Sequence, residues 1–108
     1  GASYKEVQML LGAIVDPEWT IKTHLKETVA NDLPTDFDAR VNWSECEDVI
    51  NHVRDQSNCG SCWAHGTTEA LNDRHCISHG VHELFSVSDT TACCDFLKCF
   101  SKGCNGGQ

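Results

Sequence analysis

The chain has 108 residues, eight of them cysteines and six histidines, and its formal net charge at pH 7 is −8. Phosphate backbones would repel an acidic chain of this kind, so the charge argues against a nucleic-acid-binding protein. The longest apolar run, residues 9–15, is much shorter than the ~18 residues that a membrane span needs. Cysteine-dense chains of this size are typical of oxidising compartments, where disulfides supplement a small hydrophobic core.

Residues 1–32 contain no cysteine and are predicted to be a unit separate from the rest. Four apolar residues recur there at helical spacing: Val7, Leu10, Leu11 and Ile14. Gly12 interrupts this run and Pro17 follows it, so we predict a short apolar turn rather than a long helix. The polar stretch 31–34 is turn-like and open to proteases, which places a boundary near residue 32. With no initiator Met and no secretory leader, we expect a processed form or a fragment.

The cysteine-containing part begins after this boundary. Residues 33–51 are predicted to be extended or looping, with the apolar anchors Phe37, Val41 and Trp43. A helix is predicted over residues 61–76, and Gly80 is a stop signal after it.

A second helix is predicted from Ser86 to Cys93-Cys94, because Ser86 and Asp89 have the spacing of a helix N-cap. Residues 95–108 are predicted to be a loop rich in cysteine and glycine.

Two cysteines, Cys59 and Cys62, stand three residues apart at the predicted start of the first helix. Unpaired backbone amides and the helix dipole favour a thiolate at such a position, and the thiolate is the nucleophilic form. Gly60, between them, lets the backbone pass close to a ligand. A redox Cys-x-x-Cys site is an alternative, but no strand–helix–strand pattern surrounds the pair. Zinc binding is another, although paired zinc knuckles of the usual spacing are missing.

The segment Gln56-Ser57-Asn58-Cys59-Gly60-Ser61-Cys62-Trp63-Ala64 resembles the nucleophile segment of papain-family cysteine peptidases. Further motifs resemble the cathepsin B-like branch in its own order: Leu33-Pro34, Phe37-Asp38-Ala39-Arg40, Arg54-Asp55-Gln56, Asp73-Arg74, Cys93-Cys94 and Cys104-Asn105-Gly106-Gly107. The resemblance implies an α+β papain-like fold. Residues 33–108 would form the incomplete, mainly helical left domain, and residues 1–32 the end of a propeptide.

The resemblance also implies the site residues. Cys62 would be the nucleophile, and Gln56 would donate its amide to the oxyanion beside the backbone N–H of Cys62. Gly60, Gly106 and Gly107 would contact an extended peptide substrate, and Gln108 would begin the specificity pocket. No metal and no cofactor are expected. Hydrolysis would pass through a Cys62 thioester.

Three disulfides are implied by the resemblance: Cys46–Cys76, Cys59–Cys104 and Cys94–Cys99. Cys62 would stay reduced, and the partner of Cys93 would lie further along than this chain extends. The catalytic His and Asn would come from a second domain that is missing here, so we expect this chain alone to be inactive.

Several positions depart from the family pattern or add to it. His65 stands where relatives have a packed Phe, and we favour an inward-facing, packed His over a functional one. Thr90-Thr91 replaces a Leu pair. Asn42 begins a glycosylation sequon. These departures leave a non-catalytic, disulfide-rich papain-like binding protein as the rival to a peptidase of a lysosome-like or extracellular setting.

Overall fold

A computed structural model describes residues 1–14, 34–94 and 96–107 of the chain. Its helices are α1 (Tyr4–Leu10), α2 (Ala39–Asn42), α3 (Glu47–Ile50), α4 (Cys62–His79), α5 (Val87–Cys93) and α6 (Phe96–Cys99), with a 3₁₀ turn at Ser44–Cys46. The described residues form no strand, and only two isolated β-bridges occur among them. The predicted boundary near residue 32 and Gln108 lie outside the described residues.

The 18-residue helix α4 is the longest of the described elements, and α3 and α5 both pack against it. It ends where Gly80 takes a left-handed conformation with φ 67°, which costs glycine little because it has no Cβ. The prediction of this helix and of its stop is confirmed, although α4 runs three residues beyond residue 76. No helix in the described part of the chain is long and apolar enough to cross a membrane.

Helix α5 begins at the predicted cap. The Ser86 side chain accepts a hydrogen bond from the Asp89 amide at 3.1 Å, so one of the first amides of the helix is paired. The prediction of this helix is confirmed. The predicted loop after it contains the short helix α6.

The prediction that residues 33–51 are extended or looping is wrong for residues 39–50, which form α2, the 3₁₀ turn and α3. The Asp38 carboxylate caps α2 by accepting from the Arg40 amide at 2.9 Å. The turn and α3 are packed onto α4 by a buried cluster of Cys46, Val49 and Cys76. These helices are too short to be stable alone, so tertiary packing decides their form.

Helix α1 begins at a capping box, in which Ser3 and Glu6 pair with each other's backbone amides. It ends at Leu10, so the predicted absence of a long helix holds, but Val7 and Leu10 lie in a helix rather than a turn. The cap accounts for this difference, because it satisfies amides that a seven-residue helix would otherwise leave unpaired.

Candidate active site

Cys62 is the first residue of α4, and its thiol is half-buried and outside the three disulfides. The preceding residue, Ser61, is the N-cap and provides no side-chain cap bond. The first amides of the helix and the positive end of its dipole therefore lie at the cysteine.

A disulfide holds the loop before the helix. Cys59 is bonded to Cys104, and the Gly60 amide donates to the Cys104 carbonyl at 3.0 Å. A Cβ at Gly60 would lie 2.6 Å from that carbonyl oxygen, so the two backbones can approach this closely only because residue 60 is glycine. Of the two cysteines in the Cys-x-x-Cys pair, Cys59 is therefore in a disulfide and Cys62 is reduced.

Gln56 points its side-chain amide at the same loop. Its Nε2 donates to the Cys59 carbonyl at 2.9 Å and to the Leu10 carbonyl at 3.1 Å. An amide donates hydrogen bonds without titrating, so this donor is present at any working pH.

Residues 10–14, which we call the strap, cross over Cys62. The Gly12 amide lies 3.2 Å from Cys62 Sγ and donates to it. A Cβ at Gly12 would overlap the Gly60 carbonyl. Glycine at both positions therefore lets the strap lie against the loop backbone, while the Leu11 side chain remains 72% exposed.

Gly107 pairs with the strap from the other side. Its amide donates to the Gly12 carbonyl at 2.8 Å, and its carbonyl accepts from the Ile14 amide at 2.8 Å. A Cβ at Gly107 would lie 2.6 Å from the Trp63 ring, and the Trp63 indole in turn donates to the Gly103 carbonyl at 3.1 Å. Gly106 has φ 106°, a conformation that L side chains rarely adopt. The structure therefore brings Cys62, Gln56, Gly60, Gly106 and Gly107 together around one strap.

His65 lies three residues after Cys62 on α4 and is half-buried. Its Nδ1 is 3.0 Å from the Ser61 carbonyl oxygen and 3.3 Å from Ser61 Oγ. His65 also lines a cavity of about 730 Å³ whose walls include Gln56, Cys59 and Phe85. The sequence interpretation missed the bond to Ser61, although the four-residue spacing of Ser61 and His65 on a helix could have indicated it.

The shifted pKa values lie away from this site. The Arg40 guanidinium lowers the pKa of Asp38 to about 2 by hydrogen bonding to its carboxylate. The His82 ring, 2.9 Å away, lowers the pKa of Asp48 in the same way. Burial and the charge of Glu69 raise the pKa of Asp73, which stands eleven residues along α4 from Cys62, about 16 Å by the helical rise.

The redox alternative needs Cys59 and Cys62 to pair with each other, but Cys59 is bonded to Cys104. The metal alternative meets a different obstacle. Among the described residues, Cys46, Cys76 and His82 are the group spaced closely enough to hold a metal ion. Cys46 and Cys76 are bonded to each other, however, so neither offers a thiolate.

The third disulfide joins Cys94 to Cys99, so all three pairs match those that the resemblance implied. Cys93 keeps its thiol, which lies 3.4 Å from Asp89 Oδ1.

Asn42, the sequon residue, is exposed at the end of α2. Its side-chain amide donates to the Asp38 carbonyl at 2.9 Å.

Comparison with known proteins identifies relatives over the same region. A family model described as "Papain family cysteine protease" matches residues 33–108. The chain is similar to "Cathepsin B-like cysteine proteinase 6" of Caenorhabditis elegans, with 49% identity covering 81% of this chain and 23% of the relative. It is also similar to "Cathepsin B-like protease 1" of Arabidopsis thaliana, with 35% identity covering 98% of this chain and 33% of the relative.

A solved structure, "proCathepsin B S9 from Trypanosoma congolense", superimposes with a TM-score of 0.80 at 30% identity. The match covers 97% of this chain and 36% of that structure. The chain spans between 23% and 36% of the length of these proteins. It therefore belongs to the papain family of cysteine proteases, in the cathepsin B-like branch, and covers only part of its relatives' length.

Proposed function

We propose that this chain is the N-terminal part of a cysteine peptidase that hydrolyses peptide bonds through a thioester on Cys62. One observation carries the proposal. A single backbone segment, the strap, contacts both the reduced sulfur of Cys62, at 3.2 Å, and the amide of Gln56, at 3.1 Å. A nucleophile and an oxyanion donor are therefore within reach of one bound peptide.

The residues have distinct roles in this mechanism. Cys62 Sγ attacks the substrate carbonyl carbon, and the electron pair of the C=O bond moves to its oxygen. Gln56 Nε2 and the Cys62 backbone N–H donate to that oxyanion. The tetrahedral intermediate collapses to a thioester, and the amine leaves with a proton. Water then hydrolyses the thioester and regenerates the thiol. The base that moves these protons, a His oriented by an Asn, would come from a second domain outside this chain.

Gly106 and Gly107 are proposed to bind the substrate backbone. Gly60, which has no side chain, would let that backbone lie close to the loop on the other side. The support is the pairing of Gly107 with the strap through two hydrogen bonds of 2.8 Å, a mode in which main-chain bonds hold an extended peptide. Gln108 would begin the specificity pocket.

Residues 1–32 are proposed to be the end of a propeptide, and residues 33–108 the start of the mature left domain. The strap places an amide N–H, rather than a carbonyl carbon, on Cys62 Sγ. In this arrangement the sulfur accepts a hydrogen bond, and the strap blocks the site. Cleavage near Leu33 would free it.

The substrates would be peptides or proteins, and the setting a lysosome-like acidic compartment or the extracellular space. Three disulfides support an oxidising route to that setting. Asn42 is the proposed glycosylation site, and its exposure allows modification.

A thiol-directed epoxide probe at pH 5–6 tests the proposal on the complete protein, before and after cleavage near Leu33. We expect slow labelling before cleavage and rapid labelling afterwards. Peptide mapping should place the label on Cys62 rather than Cys93. If the cleaved protein is not labelled at Cys62, it is not a peptidase, and the non-catalytic papain-like binding protein becomes the better assignment.

A further inference from the structure

The His65 ring is hydrogen-bonded to the residue that precedes the nucleophile. Nδ1 lies 3.0 Å from the Ser61 carbonyl oxygen, which also accepts from the backbone amides of Ala64 and His65 at 3.0 Å each. Ser61 is 2% exposed, so the ring, rather than bulk solvent, is the side-chain partner of this carbonyl in the folded protein.

The shorter of the ring's two contacts with Ser61 favours a proton on Nδ1. A carbonyl oxygen only accepts hydrogen bonds, so an unprotonated Nδ1 at 3.0 Å would place two lone pairs against each other. We assign the N–H to Nδ1 because this contact is shorter than the 3.3 Å contact with Ser61 Oγ, a hydroxyl that can donate or accept. In the neutral ring Nε2 is then left with a lone pair, and His65 lines the 730 Å³ cavity.

The carbonyl of Ser61 and the amide of Cys62 are the two ends of one peptide group. A peptide group is planar and trans, so its C=O and N–H point in opposite directions. A donor that holds the carbonyl therefore also sets the direction of the Cys62 N–H. A hydrogen bond at the carbonyl further polarises the group and makes its N–H a stronger donor.

We propose that His65 is a positioning residue of the oxyanion site, which orients and polarises the Cys62 N–H through the Ser61 carbonyl. The inference depends on the proposed function, because it assigns that N–H to an oxyanion. It gives the ring a role that packing alone would not require.

Two probes applied to the complete, processed protein separate this role from a packing role. A peptide aldehyde adds Cys62 Sγ to its carbonyl carbon, and the C=O electron pair moves to an oxygen that uses the oxyanion donors. Iodoacetamide alkylates the same sulfur by displacing iodide and forms no oxyanion. The variants are His65→Phe, which removes the donor, and His65→Asn, which keeps an N–H near the Nδ1 position. Gln56→Ala is the positive comparator, and His79→Phe, on the exposed end of α4, is the matched control.

We expect His65→Phe to weaken aldehyde binding about threefold to tenfold, the scale of one net hydrogen bond, with unchanged alkylation by iodoacetamide. His65→Asn should recover most of the affinity, and His79→Phe should match the parent protein. Nitrogen-15 NMR of the neutral ring should show the proton on Nδ1.

Three results would overturn the role. Aldehyde affinity could be unchanged in His65→Phe, both probes could lose reactivity in parallel, or the neutral ring could carry its proton on Nε2. A parent protein that reacts with iodoacetamide at Cys62 but does not bind the aldehyde would instead remove the proposed peptidase function, and this role with it.

Discussion

The proposed nucleophile loop, residues 59–62, and the strap, residues 10–14, meet at one sulfur atom but are held in different ways. The loop is fixed by the Cys59–Cys104 disulfide and by its entry into an 18-residue helix. Four hydrogen bonds hold the strap to the site among the described residues: Gly12 N to Cys62 Sγ, Gln56 Nε2 to Leu10 O, Gly107 N to Gly12 O, and Ile14 N to Gly107 O. Leu11 remains 72% exposed above it.

This difference suits the roles that we propose for the two regions. A loop that must present a sulfur and two donors in one geometry gains from covalent restraint. A strap that must later leave is better held by backbone hydrogen bonds, which are worth about 0.5–1.5 kcal/mol each. Once the chain is cut between the strap and the rest of the domain, these bonds and no covalent link hold the strap, so it can dissociate. The absence of a side chain at Gly12 and at Gly60 lets the two backbones lie in contact.

The largest expected effect comes from removing the Cys62 sulfur from the disulfide-held loop. Cys62→Ser in the complete, processed protein should lower peptide hydrolysis by at least about 10⁴-fold, because a hydroxyl is a far weaker nucleophile than a thiolate. The rate of hydrolysis of a fluorogenic peptide measures this. Ser78→Ala, exposed near the far end of α4, is the control and should keep full activity. Retention of more than about 1% of the activity in Cys62→Ser would show that another group is the nucleophile.

Opening the disulfide turns the fixed loop into one held by hydrogen bonds alone, as the strap is. Cys59 and Cys104 are 45 residues apart, so replacing both by Ala should lower the free energy of unfolding by about 4 kcal/mol in the chain-entropy model. Urea unfolding followed by circular dichroism measures the loss.

The matched comparison for that loss is the Cys94–Cys99 pair, which closes a span of only 5 residues. Its removal should cost about 2 kcal/mol. Equal losses for the two pairs would show that loop length does not govern the restraint at the nucleophile.

Adding a side chain at Gly12 tests the strap, which hydrogen bonds and no disulfide hold to the site. A side chain at Gly12 would overlap the Gly60 carbonyl, so Gly12→Val should lift the strap and remove its bond to Cys62 Sγ. In the uncleaved protein we expect epoxide labelling of Cys62 to become about 10- to 100-fold faster, equivalent to one or two lost hydrogen bonds. Ala13→Val is the control, because the Ala13 side chain is exposed. Similar acceleration by both variants would point to a general loosening of residues 1–14.

The same comparison shows what the sequence could predict. Local signals located the helices at and beside this loop: a helix start at about residue 61, a stop at Gly80 and a cap at Ser86 all depend on residues within a few positions of each other. Gln56 and Cys62 were predicted as site residues from a motif of nine consecutive residues. The contact of Gly12 with Gly60 and Gly107 spans 48 and 95 residues of sequence, and no local pattern encodes such a distance. The family resemblance assigned residues 1–32 to the end of a propeptide, but it did not place Gly12 against Gly60 or Gly107.

The wrong prediction for residues 39–50 has a similar physical origin. Residues 39–50 carry no periodic pattern long enough to predict a helix, and their form depends on the packing of Cys46 and Val49 against Cys76. The bond from His65 to Ser61 was missed for a different reason. Its four-residue spacing was visible, but which atom the ring would bind depends on the cavity beside it and on a carbonyl that the sequence does not orient.

Asp38 provides the smallest effect and a reference outside both regions. Its folded-state pKa of about 2 lies below the ordinary 3.8, so the stability that its charge contributes is present above pH 3.8 and is lost as the pH falls through about 2. Asp38→Asn keeps a capping side chain but removes the charge from Arg40. It should lower the Tm by about 1–3 °C at pH 6, because the pair is exposed and screened.

The Tm difference between Asp38→Asn and the parent should disappear as the pH falls from 3.8 to about 2. Thermal melts followed by circular dichroism across that range measure it, with Asp36→Asn as the control for losing an exposed charge nearby. A difference that stays constant with pH would mean that the charge of Asp38 is not what stabilises α2. Because Asp38 contacts neither the loop nor the strap in the described structure, epoxide labelling of Cys62 should be unchanged in Asp38→Asn. Faster labelling in that variant would show that strap opening follows global stability rather than the four local hydrogen bonds.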